Sequence, residues 1–81
     1  MSANEAFRKR LQELMDAKEL NPNSLANLCG VTPSTIYSLF DPARKNTPSL
    51  MTVIRVCQGL GMSLSDFFEK DIFDIENIDL D

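Results

Sequence analysis

The sequence contains no histidine and no tryptophan, and it has only two cysteines among its 81 residues. Histidine is the side chain that most often serves as a metal ligand or as a general base near neutral pH. The sequence also has no glycine-rich phosphate loop and no plausible pair of nucleophile and base. We therefore predict a protein that is not an enzyme and that holds no cofactor and no metal.

The two cysteines, Cys29 and Cys57, fall at inward positions of helical patterns. A free cysteine at such a position behaves as a small hydrophobic residue. A disulfide or a zinc pair is the alternative interpretation. We expect both cysteines to be core residues.

Long hydrophobic runs are also missing. No apolar stretch approaches the length needed to cross a bilayer, and the beginning, MSANEAFRKRLQE, is too polar for a secretory signal. The overall composition, 43% hydrophobic and 25% charged, is ordinary for a small globular protein. We expect one compact domain that stays in the cytoplasm and does not contact the membrane.

Positive charge is scarce overall but not along most of the chain. The net charge is −4, from 8 basic and 12 acidic residues. Residues 1–65 hold seven Lys or Arg and five Asp or Glu, whereas residues 66–81 hold one Lys and seven acids. The body is therefore mildly basic, which permits contact with nucleic acid, and the acidity belongs to the end of the chain.

The first apolar pattern runs from about residue 5 to residue 18, where Phe7, Leu11, Leu14 and Met15 recur at helical intervals. The basic residues at 8–10 fall on the other faces of this amphipathic helix. They form either a solvated surface or a contact to phosphates.

Two short helical patterns follow between residues 22 and 40, with Gly30 between them. Asn21 and Thr32 are predicted to cap the two helices, and each cap precedes a proline at the first helical position. A glycine between the helices accommodates a positive φ, and Ala26 leaves room for a close crossing. This arrangement is typical of a helix-turn-helix, with the second helix over about residues 33–40.

Two closing helices are predicted after the loop at residues 41–48. Ser49 caps the first, whose apolar positions Leu50, Val53, Ile54, Cys57 and Leu60 precede Gly61, and Ser63 caps a fifth helix that begins at Leu64. In the loop, Arg44 and Lys45 either reach the phosphate backbone or belong to a plain surface loop.

Residues 70–81 mix isoleucines with acids, which is neither a simple disordered composition nor a clear helix face. A frayed end, docking on the body, and a short strand that pairs with a second copy are the alternatives. We divide the chain into a helix-turn-helix domain, residues 1–69, and an acidic C-terminal tail, residues 70–81.

The stretches LANLCGVTPSTIYSL and NTPSLMTVIRVCQGLGMSLSDFF resemble the phage Cro and repressor type of helix-turn-helix protein, also called the XRE family. The resemblance implies an all-α, compact five-helix bundle of the lambda-repressor-like kind. It also implies a bacterial or phage regulator of transcription, a repressor, that binds double-stranded DNA in a sequence-specific way, usually as a homodimer on a two-fold site.

The same resemblance implies a set of DNA-binding residues. Bases are read at the start of the second helix, and phosphates are contacted around residues 21–23 and 44–46; the residues are Asn21, Asn23, Thr32, Pro33, Ser34, Thr35, Tyr37, Ser38, Arg44, Lys45 and Asn46. The family often has glutamine where this chain has Pro22 and Pro33, which removes two side-chain donors.

Many members of this family pair an arginine of the first helix with a glutamate at the end of the recognition helix. Those positions are Met15 and Phe40 here. Replacing both partners of a buried ion pair with packed hydrophobic residues is often neutral or stabilising. We therefore predict that Met15 and Phe40 touch.

A second function from another class remains open. Antitoxins of this family bind a protein partner, and the acidic tail could serve the same purpose in this chain. The alternative is thus a protein-interaction module, and it is compatible with DNA binding by the same molecule.

Overall fold

The structure, a computed structural model, describes residues 1–43 and 47–79. This part of the chain forms five α-helices: α1 (Ala3–Ala17), α2 (Pro22–Cys29), α3 (Pro33–Leu39), α4 (Leu50–Leu60) and α5 (Leu64–Phe67). Two 3₁₀ turns follow, at Asp71–Phe73 and Ile75–Asn77. Apart from one isolated bridge between Ser2 and Asp79, the described residues contain no β-structure. The predicted all-α, five-helix fold is confirmed.

Most of the helix starts are made by local hydrogen bonds. The side-chain oxygens of Asn21, Ser49 and Ser63 each accept a hydrogen bond from the backbone N–H three residues later, at 2.8, 3.2 and 3.0 Å. Helix α1 begins two residues before the predicted position, because Ser2 and Glu5 form a capping box that the apolar pattern does not reveal.

The ends of α2 and α4 depend on glycine. Gly30 and Gly61 have φ of 68° and 69°, in the left-handed region, where a side chain would be strained. Both residues stop their helices at the predicted places, so the turn between α2 and α3 is short. These two helices pack against each other, and α2 also packs against α4.

The core lies between α1, α2, α3 and α4, and Phe67 of α5 closes it. The predicted apolar face of α1 is buried, but the predicted face of α4 is wrong at two positions, since Leu50 is exposed and Ile54 is only half-buried. Leu50 is 66% exposed, because it lies in the first turn of α4, where the core has ended. Val56 is buried instead and completes the inward face with Val53, Cys57 and Leu60.

Helices α2 and α4 approach each other closely at Gly59. A Cβ atom on this residue would lie 2.8 Å from the carbonyl oxygen of Leu28 and 2.9 Å from the Sγ of Cys29. The sequence predicts a close crossing at Ala26 for a different pair of helices, α2 and α3, and Ala26 is fully buried. The sequence pattern did not single out Gly59, since the need for it arises from a neighbouring helix.

The tail docks on the body of the same chain as far as Asp79. The ring of Phe73 packs against the core, with its centroid 6.0 Å from that of Phe67 and 4.9 Å from that of Phe68. The backbone N–H of Asp79 donates to the carbonyl oxygen of Met1 at 2.8 Å. Of the alternatives for the tail, docking therefore describes residues 70–79.

Candidate nucleic-acid interface

Helix α3 divides the predicted base-reading residues from the core. Its inward face carries Ile36 and Leu39, which are both buried. The opposite face exposes most of the residues that the resemblance assigns to base reading: Pro33, Ser34, Tyr37 and Ser38, with Thr35 half-buried. The helix is thus anchored on one side and presents small polar groups on the other.

Three hydroxyl groups meet at the start of α3. The Oγ1 of Thr32 lies 3.0 Å from the Oγ of Ser34 and 3.0 Å from the Oγ1 of Thr35. Thr32 occupies the predicted N-cap position, but its side chain makes no capping hydrogen bond, so this prediction is wrong in its chemistry. The hydroxyl pairs with the two neighbouring hydroxyls instead, and each of them can act as donor or acceptor.

Tyr37 is the large side chain on the exposed face of α3. It is 56% exposed, although it lies one residue after buried Ile36. A tyrosine in this position offers an apolar ring and a phenol that can donate or accept a hydrogen bond. It can therefore pack on a sugar or a thymine methyl and reach a phosphate oxygen.

The start of α2 holds the first group of predicted phosphate contacts. Asn21 and Ser24 form a capping box, in which the Oδ1 of Asn21 accepts from the N–H of Ser24 at 2.8 Å and the Oγ of Ser24 accepts from the N–H of Asn21 at 2.9 Å. The oxygen of Asn21 is therefore committed to the helix, and only its amide group remains for a phosphate. Asn23 is exposed on the first turn.

The second group of predicted phosphate contacts, Arg44, Lys45 and Asn46, lies outside the described residues. Before them the chain leaves α3 through a turn in which the Oδ1 of Asp41 accepts from the N–H of Ala43 at 2.9 Å. The described chain resumes at Thr47, just ahead of the cap of α4. The role of the three residues in DNA binding stays a prediction from the sequence.

Arg10 does not belong to the solvated face where the sequence pattern placed it. Only 6% of the residue is exposed. Its Nε donates to the carbonyl oxygen of Phe67 at 2.8 Å, its Nη2 to that of Asp66 at 2.9 Å, and its Nη1 pairs with Glu13 at 2.6 Å. This guanidinium uses three of its five N–H donors on Glu13 and on the carbonyls at the end of α5, so it is held in the core and not on a DNA-facing surface. Of the basic trio, Lys9 is exposed and Arg8 half-buried.

A periodic signal for the burial of Arg10 was present in the sequence. Position 10 lies three residues after Phe7, one before Leu11 and four before Leu14, all of which face the core. A residue at that spacing belongs to the apolar face of a helix, whatever its side chain. Because arginine is charged, position 10 was assigned to the solvated face of the helix instead.

Both cysteines are free thiols in the core, as predicted. Burial raises the pKa of Cys29 and of Cys57 above the usual range for a thiol, which suppresses the reactive thiolate. Within residues 1–43 and 47–79, no cluster of three or more His, Cys, Asp or Glu side chains is placed to hold a metal ion. In the same part of the chain, every helix is too short or too polar to cross a membrane.

Comparison with known proteins gave one positive finding. A family model described as a Cro/C1-type HTH DNA-binding domain matches residues 10–71, a range that includes α2 to α5 and most of α1. Comparison with curated proteins and with solved structures produced no match.

Proposed function

Because the chain belongs to the family of Cro/C1-type helix-turn-helix DNA-binding domains, we propose that it regulates transcription, as a repressor, by reading double-stranded DNA with α3. The observation that supports this assignment best is the division of α3 into a buried face and an exposed face of hydroxyl groups. When a helix-turn-helix docks on DNA, the residues at the start of its second helix contact base edges in the major groove.

The chemistry of the exposed face predicts how bases are read. Hydroxyls of Ser34 and Thr35 can donate to or accept from several base edges, and the methyl group of Thr35 can meet a thymine methyl. Neither residue makes the bidentate contacts by which arginine selects guanine or asparagine selects adenine. We therefore expect few base contacts, with Tyr37 and Ser38 adding to them at the next positions of the helix.

Affinity then depends mainly on the phosphate contacts. We assign these to the start of α2, at Asn21 and Asn23, and to the segment after α3, at residues 44–46. Arg44 and Lys45 carry the charge in this set, and each phosphate they neutralise contributes close to one unit to the salt dependence of binding. Pro22 and Pro33 supply no side-chain donor, which leaves more of the binding energy to these groups.

The proposal extends to the organisation of the protein. Residues 1–69 carry the DNA-binding function, and residues 70–81 are an acidic tail that binds no DNA. Two copies bind one two-fold operator, as half-site spacing requires in this type of recognition. A regulator of this kind performs no enzymatic step and acts in the cytoplasm, where bacterial or phage DNA is found.

Selection of bound fragments from a random pool of double-stranded DNA tests the proposal. We expect enrichment of a short motif in two copies related by a two-fold axis. Failure to enrich any motif at low salt would contradict sequence-specific binding, whereas a single, unrepeated motif would contradict the dimer alone.

Salt titrations with the selected site test the phosphate assignment. Arg44→Ala should weaken binding to all sequences and lower the salt slope by about one. Arg55→Ala is the matched control, because Arg55 is an exposed arginine of α4 outside the proposed interface. Equal slopes for the two variants would remove Arg44 from the interface.

A further inference from the structure

An open apolar groove lies outside the two helices of the helix-turn-helix. Its volume is about 460 Å³, and it runs between the start of α1, the segment before α4 and the tail. Its walls are mostly apolar side chains: Phe7, Pro48, Val53, Phe68, Phe73 and Ile78.

The aromatic wall of the groove is built in advance of any ligand. The rings of Phe68 and Phe73 meet edge to face, with centroids 4.9 Å apart, and the ring of Phe67 lies 5.0 Å from that of Phe68. Phe67 is fully buried, whereas Phe68 remains 42% exposed. The core thus holds Phe68 in a fixed orientation with part of its ring open to the groove, which lowers the entropic cost of binding.

The tail side of the groove is strongly acidic. Phe73 and Ile78 belong to the same segment as Asp71, Asp74, Glu76 and Asp79, all of which are exposed. Within residues 70–79 the basic side chain is Lys70, whose Nζ lies 3.8 Å from a carboxylate oxygen of Glu13. We call the four exposed acids the acidic rim; Asp79 among them pairs with the N-terminal ammonium group of Met1 at 3.3 Å.

The acidic rim argues against a second copy of this chain as the occupant. A symmetric contact through this groove would bring the same surface patch of both copies together. Two acidic rims would then face each other, and juxtaposed like charges oppose association. The charge favours a partner of the opposite sign.

We propose that the groove is the docking site for a partner protein, which inserts apolar side chains of an amphipathic helix against Phe68 and places lysines or arginines on the acidic rim. Recognition of an amphipathic helix by an apolar groove is a recurrent mode of peptide binding, and charges at the edge set the orientation and the partner. Ile75, which is 80% exposed on the same segment, extends the apolar contact beyond the groove. None of the residues that line this groove belongs to α2 or α3.

Three labelled peptides of equal length test the proposal with the full chain. The first has leucines at helical spacing i, i+4, i+7 and lysines elsewhere, the second replaces the lysines with glutamates, and the third replaces the leucines with serines. Fluorescence anisotropy should show binding of the first peptide, and at least about tenfold weaker binding of the other two. Equal affinity for the lysine and glutamate peptides would overturn the role of the acidic rim in binding. Equal affinity for the leucine and serine peptides would overturn the role of the apolar groove.

Two variants locate the binding. Ala3 lines the groove at the exposed start of α1, so Ala3→Phe should fill the groove and weaken the first peptide at least about tenfold while the thermal midpoint stays unchanged. The double change Asp74→Asn with Glu76→Gln should weaken it severalfold. The matched control, Asp16→Asn with Glu19→Gln, removes the same charge at the other end of α1.

Three results would overturn the docking site. The first is unchanged peptide binding by Ala3→Phe, the second is an equal effect of the two double variants, and the third is amide chemical-shift changes that map to α3 instead of the groove. Binding of the selected DNA should be the same for Ala3→Phe and for the unmodified chain. A failure of the docking site and a failure of DNA binding are therefore distinguishable.

Discussion

The start of α3 and the end of α5 both carry clusters of polar groups, but the two clusters use them in opposite ways. The hydroxyl of Thr32 hydrogen-bonds to those of Ser34 and Thr35 near the surface. The guanidinium of Arg10 is buried and donates to two carbonyls of the last turn of α5. Neutral groups therefore occupy the face proposed to read DNA, while a cation with suitable chemistry for phosphate holds the fold together.

The comparison of the two clusters shows which polar groups are available to bind a ligand. Hydroxyls at the surface exchange partners among themselves, water and a ligand at little net cost, since each such hydrogen bond contributes only about 0.5–1.5 kcal/mol. Removing a buried donor leaves its acceptors without a hydrogen-bond partner and out of reach of water. This costs about 1–3 kcal/mol for each buried group. Charge alone is thus a poor guide to the binding face of this protein.

The largest effect is expected when the buried guanidinium is removed. Arg10→Ala should lower the free energy of unfolding by about 2–4 kcal/mol, because it leaves the carbonyls of Asp66 and Phe67 without their donor and removes packing beside the Phe67 ring. Chemical denaturation measures this change. Arg8→Ala is the matched control and should change stability by less than about 0.5 kcal/mol. Similar losses for the two variants would show that Arg10 has no special role.

The next prediction concerns the packing that holds the helix-turn-helix in place. Gly59→Ala should lower the free energy of unfolding by about 1–3 kcal/mol despite the better helix propensity of alanine, because the new methyl group overlaps the backbone of Leu28. Gln58→Ala, at the exposed neighbouring position, is the control for propensity. Gly59→Ala as stable as Gln58→Ala would mean that α2 and α4 separate easily.

The docked tail provides a smaller test of how the end of α5 is supported. Truncation after Lys70 should leave a cooperatively folding helical domain that is about 1–2 kcal/mol less stable, since the half-buried Phe73 ring is lost. The shortened chain should also bind non-specific DNA slightly more tightly, because acids that repel phosphate are gone. Phe73→Ala in the full chain separates the two effects, since it lowers stability and keeps the charges. Loss of cooperative unfolding on truncation would place the tail within the folding unit.

The smallest effect is expected at the capping box of α1, a polar pair as exposed as the hydroxyls of α3. Hydrogen bonds from Ser2 lower the pKa of Glu5. A carboxyl with a lowered pKa in the folded state contributes stability above its unfolded pKa and loses it as the pH falls from the unfolded value through the folded one. Thermal midpoints between pH 6 and pH 3 should fall slightly more for the unmodified chain than for Glu5→Gln. Parallel curves would show that the capping box contributes nothing measurable.

The parts of the fold that could be predicted are those set by local chemistry. Asn21, Ser49 and Ser63 cap their helices, and Gly30 and Gly61 end them, because these signals act within a few residues. The close contact at Gly59 depends on a neighbouring helix that the local pattern does not describe. The burial of Arg10 follows the apolar spacing of α1, but its carbonyl partners lie on α5, which the local pattern does not identify. Thr32 occupies the predicted N-cap position but does not make the capping hydrogen bond. The sequence does not determine to which of several nearby groups a hydroxyl hydrogen-bonds.

Prediction was less complete at the candidate site and at one core contact. Residue types and the resemblance identified the face of α3, but they do not determine which bases it meets. Met15 is buried and Phe40 is half-buried against the core, so both lie where their paired substitution requires. Their direct contact stays a prediction. Phe40→Glu, which introduces a charge without a partner beside the core, is the variant that probes it.

The most direct test of the central claim, that the neutral face of α3 reads DNA, compares two variants of α3 with a serine control on the selected site. Ser34→Ala and Tyr37→Ala should each shift the preference at a contacted base pair by about 1–3 kcal/mol, measured as dissociation constants for the site and its single-base variants. Ser65→Ala, at an exposed serine of α5, should leave every preference unchanged. If Ser34→Ala and Tyr37→Ala fold normally and keep the full preference of the unmodified chain, α3 is not the reading helix, and the account is wrong.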